Sequence, residues 1–354
     1  MRAFVGPGRK LLLAMKANAY GHGAAAVAAM AERAGLVDWL GVATVPEGLE
    51  LRRAGIRLPI LKFSPAFPEE MAAALDAGIT LPVCDLGNIQ ALQSICAVKG
   101  VRTRVHLKVE TGMGRIGVPV AKAPGLALHI ETLCPALDLE GVFTHLPVSD
   151  EAQGAAFTGE QIAAFRQTVE QIAGALGRTP ELRHCVSSGG VLGHPDGWFT
   201  LVRTGTLGYG YYPVASPTRP LALRPGLSLV TRIAHRTQVP KGTWLDPRRS
   251  WAPLRDTWVA ALPVGFGDGL NRLMAGRGRV LVQGRSCPMV GEMDVDRTLI
   301  DLGPDSGAQV GDQAVLIGRS GDEEITAYEV ARLLDTIPAD ITSRLGARVE
   351  RIYG

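Results

Sequence analysis

Lys16 closes a five-residue apolar run, 11–15, and is followed at once by the small polar stretch "ANAYGHG", so an amine stands where a strand leaves a core. Other reactive side chains recur in the same setting, at or just past the end of an apolar run. They are Lys108 with Arg115 in "TGMGR", His145, the run Ser187-Ser188-Gly189-Gly190, and Arg203-Thr204-Gly205. A lysine held at such an end loses hydration, which lowers its pKa and frees the neutral amine for a Schiff base with an aldehyde. Glycine-flanked loops present unhindered backbone N–H groups to a phosphate. An aldehyde that carries a phosphate and takes a lysine is pyridoxal 5′-phosphate. Arg203 adds a donor that keeps its proton, since the pKa of a guanidinium stands above ~12. Blander roles exist for each residue: a snorkelling lysine, a salt-bridged arginine, a hydrogen-bonded core histidine. Tyr209 and Tyr211 read as packing for a rim.

Those residues need elements to bring them together. Apolar runs at 11–15, 39–43, 59–63, 79–83, 104–109, 139–144, 181–186 and 200–202 alternate with helical stretches such as 23–34, 46–54, 68–77, 88–98 and 159–176. Gly35, Gly55, Gly78 and Gly100 fall where C-caps are expected. Eight strands with helical crossovers predict a parallel (β/α)₈ barrel over 1–215, and such a barrel gathers its chemistry at the C-terminal strand ends. The proline-rich "PVASPTRPLALRPG" reads as a linker. Alternating runs with glycine turns then predict a mostly antiparallel β domain over 222–354, with one helix at 327–334 and a last strand "RVERIY".

Composition excludes several classes. The 354 residues are 46% hydrophobic with a net charge of +3, and no basic run interleaves with aromatics, which argues against a nucleic-acid partner. Five cysteines form no CxxC or Cys-His cluster, so neither a disulfide framework nor a metal site is expected, and a reducing cytoplasm fits best. The first apolar run is too short for a signal peptide or a membrane span.

The motifs "AMKANAYGHG", "VHLKVETGMGRIG", "GVFTHLPVSD", "VRTGTLGYG", "LPVGFGDG" and "RVERIY" resemble, in order and over nearly the whole chain, those of alanine racemases, the fold-type III enzymes that bind pyridoxal 5′-phosphate. The resemblance implies that Lys16 holds the cofactor and exchanges the α-proton on the D-amino-acid face. It puts Tyr20, Ser188 and the backbone of Gly205 and Thr206 on the phosphate, Arg203 opposite the pyridine nitrogen and His145 beside the ring. Arg115 would stand near the phenolic oxygen and the substrate carboxylate, steadied by Lys108, which is often carbamylated in the family. A homodimer is implied too, the β domain of one chain capping the barrel mouth of the other.

The resemblance breaks in the second domain. Counting back from "GFGDG", the tyrosine that the partner subunit supplies as second base falls on Pro247. Phe266 replaces an entrance tyrosine, Ala347 a phosphate-binding one, and the carboxylate-contacting Cys-Met-Asp reads Asp294-Val295-Asp296, with Val295 at the substrate. The family also carries a longer segment before the lysine, so either the start lies upstream of Met1 or the barrel lacks a helix. Three readings follow. One is an amino-acid racemase whose second base is Asp246, Asp294 or a water. Another is a pyridoxal-phosphate enzyme of aldol cleavage, transamination or decarboxylation. The third is a cofactor-binding protein without catalysis. Arg248 and Arg249 hint at an acidic substrate, though exposed loop arginines are the simpler account.

Overall fold

A computed structural model of the chain describes residues 1–354 except 214, 215, 217, 218 and 247. It divides into two compact units, Met1–Pro225 and Gly226–Gly354.

Among the described residues the first unit holds strands β1 (Lys10–Ala14), β2 (Trp39–Val42), β3 (Ile60–Lys62), β4 (Ile79–Val83), β5 (Thr103–Glu110), β6 (Val118–Pro119), β7 (Leu137–Phe143), β8 (Leu182–His184) and β9 (Leu201–Thr204). They pair in parallel in the order β8-β7-β5-β4-β3-β2-β1-β9, with the two-residue β6 set against β5. Thr200 N–H to Arg183 O (3.1 Å) and Arg203 N–H to Val186 O (3.3 Å) draw the last two strands together, giving the near-closed (β/α)₈ barrel that the eight runs predict. The strands are almost wholly buried because both faces are covered, which is why they read as apolar runs without alternation. Leu12, Trp39, Leu61, Leu182 and Leu201 pack the interior with Phe63. Gly41 is glycine for that packing: a Cβ there would lie 2.1 Å from Phe63 Cζ.

Helices α1 (Arg2–Val5), α3 (Ala24–Arg33), α4 (Val45–Arg53), α5 (Pro68–Asp76), α6 (Leu86–Lys99), α7 (Ala123–Leu133), α8 (Ala155–Leu176) and α9 (Ser188–Gly193) lie between or before the strands, and α2 (Lys16–Tyr20) is a separate case taken up below. Thr44 and Glu47 form a capping box at α4, and Asp85 caps α6. The 22-residue α8 begins four residues ahead of the sequence reading, because Gly154 and Ala155 extend it backwards through a 3₁₀ turn.

The second unit is antiparallel: β10 (Leu229–Arg232), β11 (His235–Val239), β12 (Thr257–Leu262), β13 (Arg279–Val282), β14 (Arg285–Val290), β15 (Thr298–Gly303), β16 (Gln313–Ser320) and β17 (Glu323–Ile325). Their order is β10-β16-β13-β14-β15-β12-β11, with β17 on β16. In β15, Thr298, Ile300 and Leu302 alternate inward, the signature of a sheet with one covered face. Two expectations are corrected. The helix α10 (Ala327–Leu333) is followed by a second, α11 (Pro338–Ser343), which Pro338 opens at its first turn. "RVERIY" forms no strand: Ile352 is 87% exposed, and Arg351 folds back to donate to the carbonyls of Leu345, Gly346 and Val349, competing with any ladder. No described helix is long and apolar enough to cross a membrane.

Candidate active site

The strand end that carries Lys16 does not continue into an ordinary loop. Ala17, Asn18, Ala19 and Tyr20 have φ of 52°, 53°, 55° and 53°, so α2 is a left-handed turn built from four consecutive non-glycine residues. Each such residue costs about 1–2 kcal/mol, and the turn persists because its surroundings hold it. Glu47 Oε1 accepts the Ala17 N–H (2.8 Å) and Asn18 Oδ1 accepts the Ala24 N–H (2.6 Å). Gly21 N–H returns to Ala17 O (2.9 Å). The turn sets the Tyr20 ring 5.1 Å from Tyr209, on which His22 stacks at 4.6 Å, and Tyr209 Oη donates to Ala14 O (2.6 Å). Tyr209 and Tyr211 are buried, as packing residues should be. By surface area Lys16 itself is open, so its desolvation is that of a concave mouth, not of a sealed core. That desolvation, then the charge of Arg115, lowers its pKa; Glu47 opposes and Arg203 adds to the lowering.

Tyr20 faces the loop after β9. A Cβ on Gly205 would stand 2.7 Å from Tyr20 Oη and 3.8 Å from Ser188 Oγ, so the absent side chain leaves a recess lined by a phenol and a serine hydroxyl. Ser188 Oγ accepts from Gly205 N–H (3.0 Å) and Leu207 N–H (3.4 Å), tying the loops after β8 and β9 together. Thr206 starts the 3₁₀ turn that follows. Burial pushes the Tyr20 phenol up to about 12, so it remains a donor.

Arg203, 5% exposed, donates through Nη1 to His184 Nδ1 (2.8 Å) and through Nη2 to Thr144 O (2.9 Å), Cys185 O (2.9 Å) and His145 Nδ1 (3.3 Å). Its Nε–H makes no hydrogen bond among the described residues. Burial lowers the guanidinium to about 10, still fully charged near neutrality. His145 is held down to about 3 by burial first and then by Arg203, Arg115, Lys16 and Lys108, so its imidazole is neutral. Lys108 Nζ donates to Phe63 O (2.8 Å) and is lowered to about 8 by burial, then Arg115 and Arg203. Arg115 stands on a loop wound around one carboxylate: Glu110 accepts from the N–H groups of Gly112 (2.6 Å), Met113 (2.5 Å) and Arg115 (3.1 Å). Thr111 Oγ1 meets Thr144 Oγ1 at 2.8 Å, which ties that loop to the residue holding Arg203. The first unit therefore gathers Lys16, Tyr20, Arg115, His145, Ser188, Arg203, Gly205 and Thr206 at one end of the barrel.

Val295 and Phe266 belong to the second unit, where they share a loop cluster: Phe266 N–H donates to Asp294 O (3.1 Å) and Gly267 N–H to Val295 O (2.7 Å). Both side chains are exposed, at 41% and 52% for Phe266 and Val295. Gly265 permits the approach, since a Cβ there would lie 2.2 Å from Asp294 O. Pro247 lies outside the described residues. Its neighbour Asp246 accepts from Arg248 N–H (2.9 Å), Ser250 N–H (3.2 Å) and Ser250 Oγ (2.6 Å). Burial raises its carboxyl, but these bonds and one from Glu292 together hold it below the usual range, making it a poor base. Arg248 is paired with Glu292 at 3.4 Å and is 71% exposed.

Sequence reasoning missed Glu47, Glu110, Thr144 and His184, which position the others. Only His184 left a signal, a histidine inside an apolar run.

Profiles described as "Alanine racemase, N-terminal domain" and "Alanine racemase, C-terminal domain" match residues 1–213 and 226–353. The alanine racemase of Cutibacterium acnes is 42% identical over 98% of this chain and 91% of its own length. That of Symbiobacterium thermophilum is 39% identical over 98% and 90%. Among solved structures, the alanine racemase of Clostridium difficile 630 superposes with a TM-score of 0.92 at 30% identity, over 98% of this chain and 89% of that one.

Proposed function

The chain belongs to the alanine racemase family, and from that premise we propose that it is a pyridoxal-phosphate-dependent racemase interconverting the L and D forms of a small amino acid, alanine first among them. The observation that carries the reading is the recess between Gly205, Tyr20 and Ser188, set at the same barrel mouth as a lysine of lowered pKa and a buried arginine with Nε–H to spare. The donor set fits the cofactor: Tyr20, Ser188 and the Gly205 and Thr206 peptides for a phosphate, Arg203 for a pyridine nitrogen, Lys16 for an aldehyde. When bound, pyridoxal phosphate supplies that aldehyde and a ring able to take up the electron pair left at Cα.

The chain's own residues do the rest. Lys16, its pKa lowered by desolvation and neighbouring cations, takes and returns the α-proton on the D face. Arg203 donates without releasing a proton, which keeps charge at Cα and limits side reactions. Neutral His145 packs beside these cations without adding to their charge. Arg115, its loop fixed by Glu110, receives the substrate carboxylate, and Lys108 at about 8 has enough neutral amine for carbamylation. Pro247 has no proton to move and Asp246 is a tethered, weak base, so the L face is served poorly. That observation favours a second reading, a pyridoxal-phosphate enzyme of another reaction type working on one face. A homodimer in which the second unit of one chain covers the barrel mouth of the other completes the reading, since the mouth needs a cover to exclude water.

Borohydride reduction of the cofactor-loaded protein, followed by peptide mapping, tests the assignment. Phosphopyridoxyl is expected on Lys16. Label on Lys62 or Lys108 instead, or on no lysine, would end it.

A further inference from the structure

Arg203 is a buried cation with no carboxylate in contact with it: among the described residues it forms no ion pair, only hydrogen bonds to two carbonyls and two imidazoles. A charge so placed is expensive unless an opposite charge reaches it by some route. One route runs through the barrel interior. His184 Nδ1 stands 2.8 Å from Arg203 Nη1, His184 Nε2 stands 3.0 Å from His106 Nδ1, and His106 Nε2 stands 3.4 Å from Glu140 Oε2. His106 and His184 are fully buried and Glu140 is 8% exposed. The other Glu140 oxygen accepts from Arg104 Nη1 at 3.0 Å, and Arg104 reaches solvent.

The direction of this chain follows from one fact, that a guanidinium only donates. His184 Nδ1 must then be bare, so a neutral His184 carries its proton on Nε2. That proton points at His106 Nδ1, which must accept, leaving the His106 proton on Nε2, which makes no hydrogen bond among the described residues and lies 3.4 Å from Glu140 Oε2. Burial, then the charges of Arg203 and His106, hold His184 well below its usual range and so keep it neutral. Packing fixes the two rings: Phe143 stacks on His184 at 4.8 Å and 8°, and Gly141 lacks the Cβ that would lie 2.7 Å from His106 Cε1.

We propose that Glu140 is a positioning residue for Arg203: hydrogen bonds from Arg203 to His184 and from His184 to His106 end on an imidazole whose Nε2 faces the Glu140 carboxylate at 3.4 Å, and that negative charge holds the two rings and, through them, the guanidinium at the barrel mouth. The functional half of this inference rests on the reading of Arg203 as the partner of a pyridine nitrogen. The chain itself does not.

The test is nitrogen NMR on protein labelled with ¹⁵N-histidine and ¹⁵N-arginine, with and without pyridoxal phosphate. In the unmodified protein the signals are expected to place the proton of each imidazole on Nε2, with Nδ1 accepting. In Glu140→Gln, which keeps an acceptor for Arg104 but removes the charge facing His106, the His106 signals are expected to move toward a tautomer mixture and the Arg203 side-chain signals to shift. Cofactor affinity is expected to fall about tenfold. Glu140→Leu, which removes both the charge facing His106 and the acceptor of Arg104, should do more, and if it fails to fold the Gln variant and the unmodified protein still decide. A His106 proton on Nδ1, or His184 and Arg203 signals unmoved in Glu140→Gln, would overturn the inference. Should the protein bind no pyridoxal phosphate while the tautomer pattern stands, the proposed function fails and the chain survives.

Discussion

Gly205→Ala puts one methyl where the structure leaves none. The new Cβ would lie 2.7 Å from Tyr20 Oη, and ordinary contact begins near 3.4 Å, so the hydroxyl must retreat by about 0.7 Å. It cannot swing freely, because Tyr20 belongs to the left-handed turn and rests on Tyr209. A displacement of that size breaks a hydrogen bond from the phenol to a phosphate, a bond to a charged group worth about 1.5–3 kcal/mol, so the dissociation constant for pyridoxal phosphate should rise roughly 10- to 150-fold. Tyr20→Phe removes the same bond directly and should cost a similar amount. The informative variant is the double one. Without the hydroxyl, the nearest ring atom to the new methyl is Cζ at 3.3 Å, close to ordinary contact, so Gly205→Ala should cost only about twofold more in the Tyr20→Phe background. Titrating apoprotein with pyridoxal phosphate, followed by absorbance, gives all four constants. Penalties that simply add would refute the reasoning, since the methyl would then be acting somewhere other than on the phenol.

Three further outcomes are expected. His145 takes a proton near 6.5 when unfolded and near 3 when folded, so the unfolded chain binds the extra proton between those values and stability falls as pH drops through 6.5. Between pH 7 and 5 this amounts to at most about 2 kcal/mol. Urea unfolding of His145→Asn should show that much less acid sensitivity than the unmodified protein, and equal losses would contradict it. Ala17→Gly should leave stability unchanged or raise it by up to about 1 kcal/mol, because φ of 52° suits glycine; a loss of about 1 kcal/mol, as in a right-handed helix, would mean the turn is not left-handed. Sedimentation at micromolar concentration should find a dimer, and a strictly monomeric holoprotein would remove the second unit from the barrel mouth.

The barrel was legible because each strand is a buried apolar run and several helices close on Gly35, Gly55, Gly78 or Gly100, so Lys16, Arg203 and Ser188 could be put at strand ends from the sequence. The left-handed turn was not, since "KANAY" has ordinary propensities and its conformation is held from outside by Glu47 and Tyr209, with the Asn18 side chain bonded onward to Ala24. Glu140 and His106 were hidden in another way: His106, like His184, is a histidine inside an apolar run, but the partners of both residues lie on other strands. "RVERIY" misled for the opposite reason. Its alternation is real, but Arg351 spends its donors on nearby carbonyls and no strand offers a ladder.

Proton exchange against inversion in heavy water probes the central claim, that Lys16 works the D face opposite a position without a base. D-alanine is expected to gain deuterium at Cα faster than it inverts, while L-alanine exchanges slowly, and a missing general base of ~10²–10⁴ in rate makes that asymmetry plain. Restoring a phenol through Pro247→Tyr with Arg248→Gly should then speed inversion. Matched exchange and inversion for both enantiomers would show that a second base is present after all, and no exchange of either would contradict the racemase reading itself.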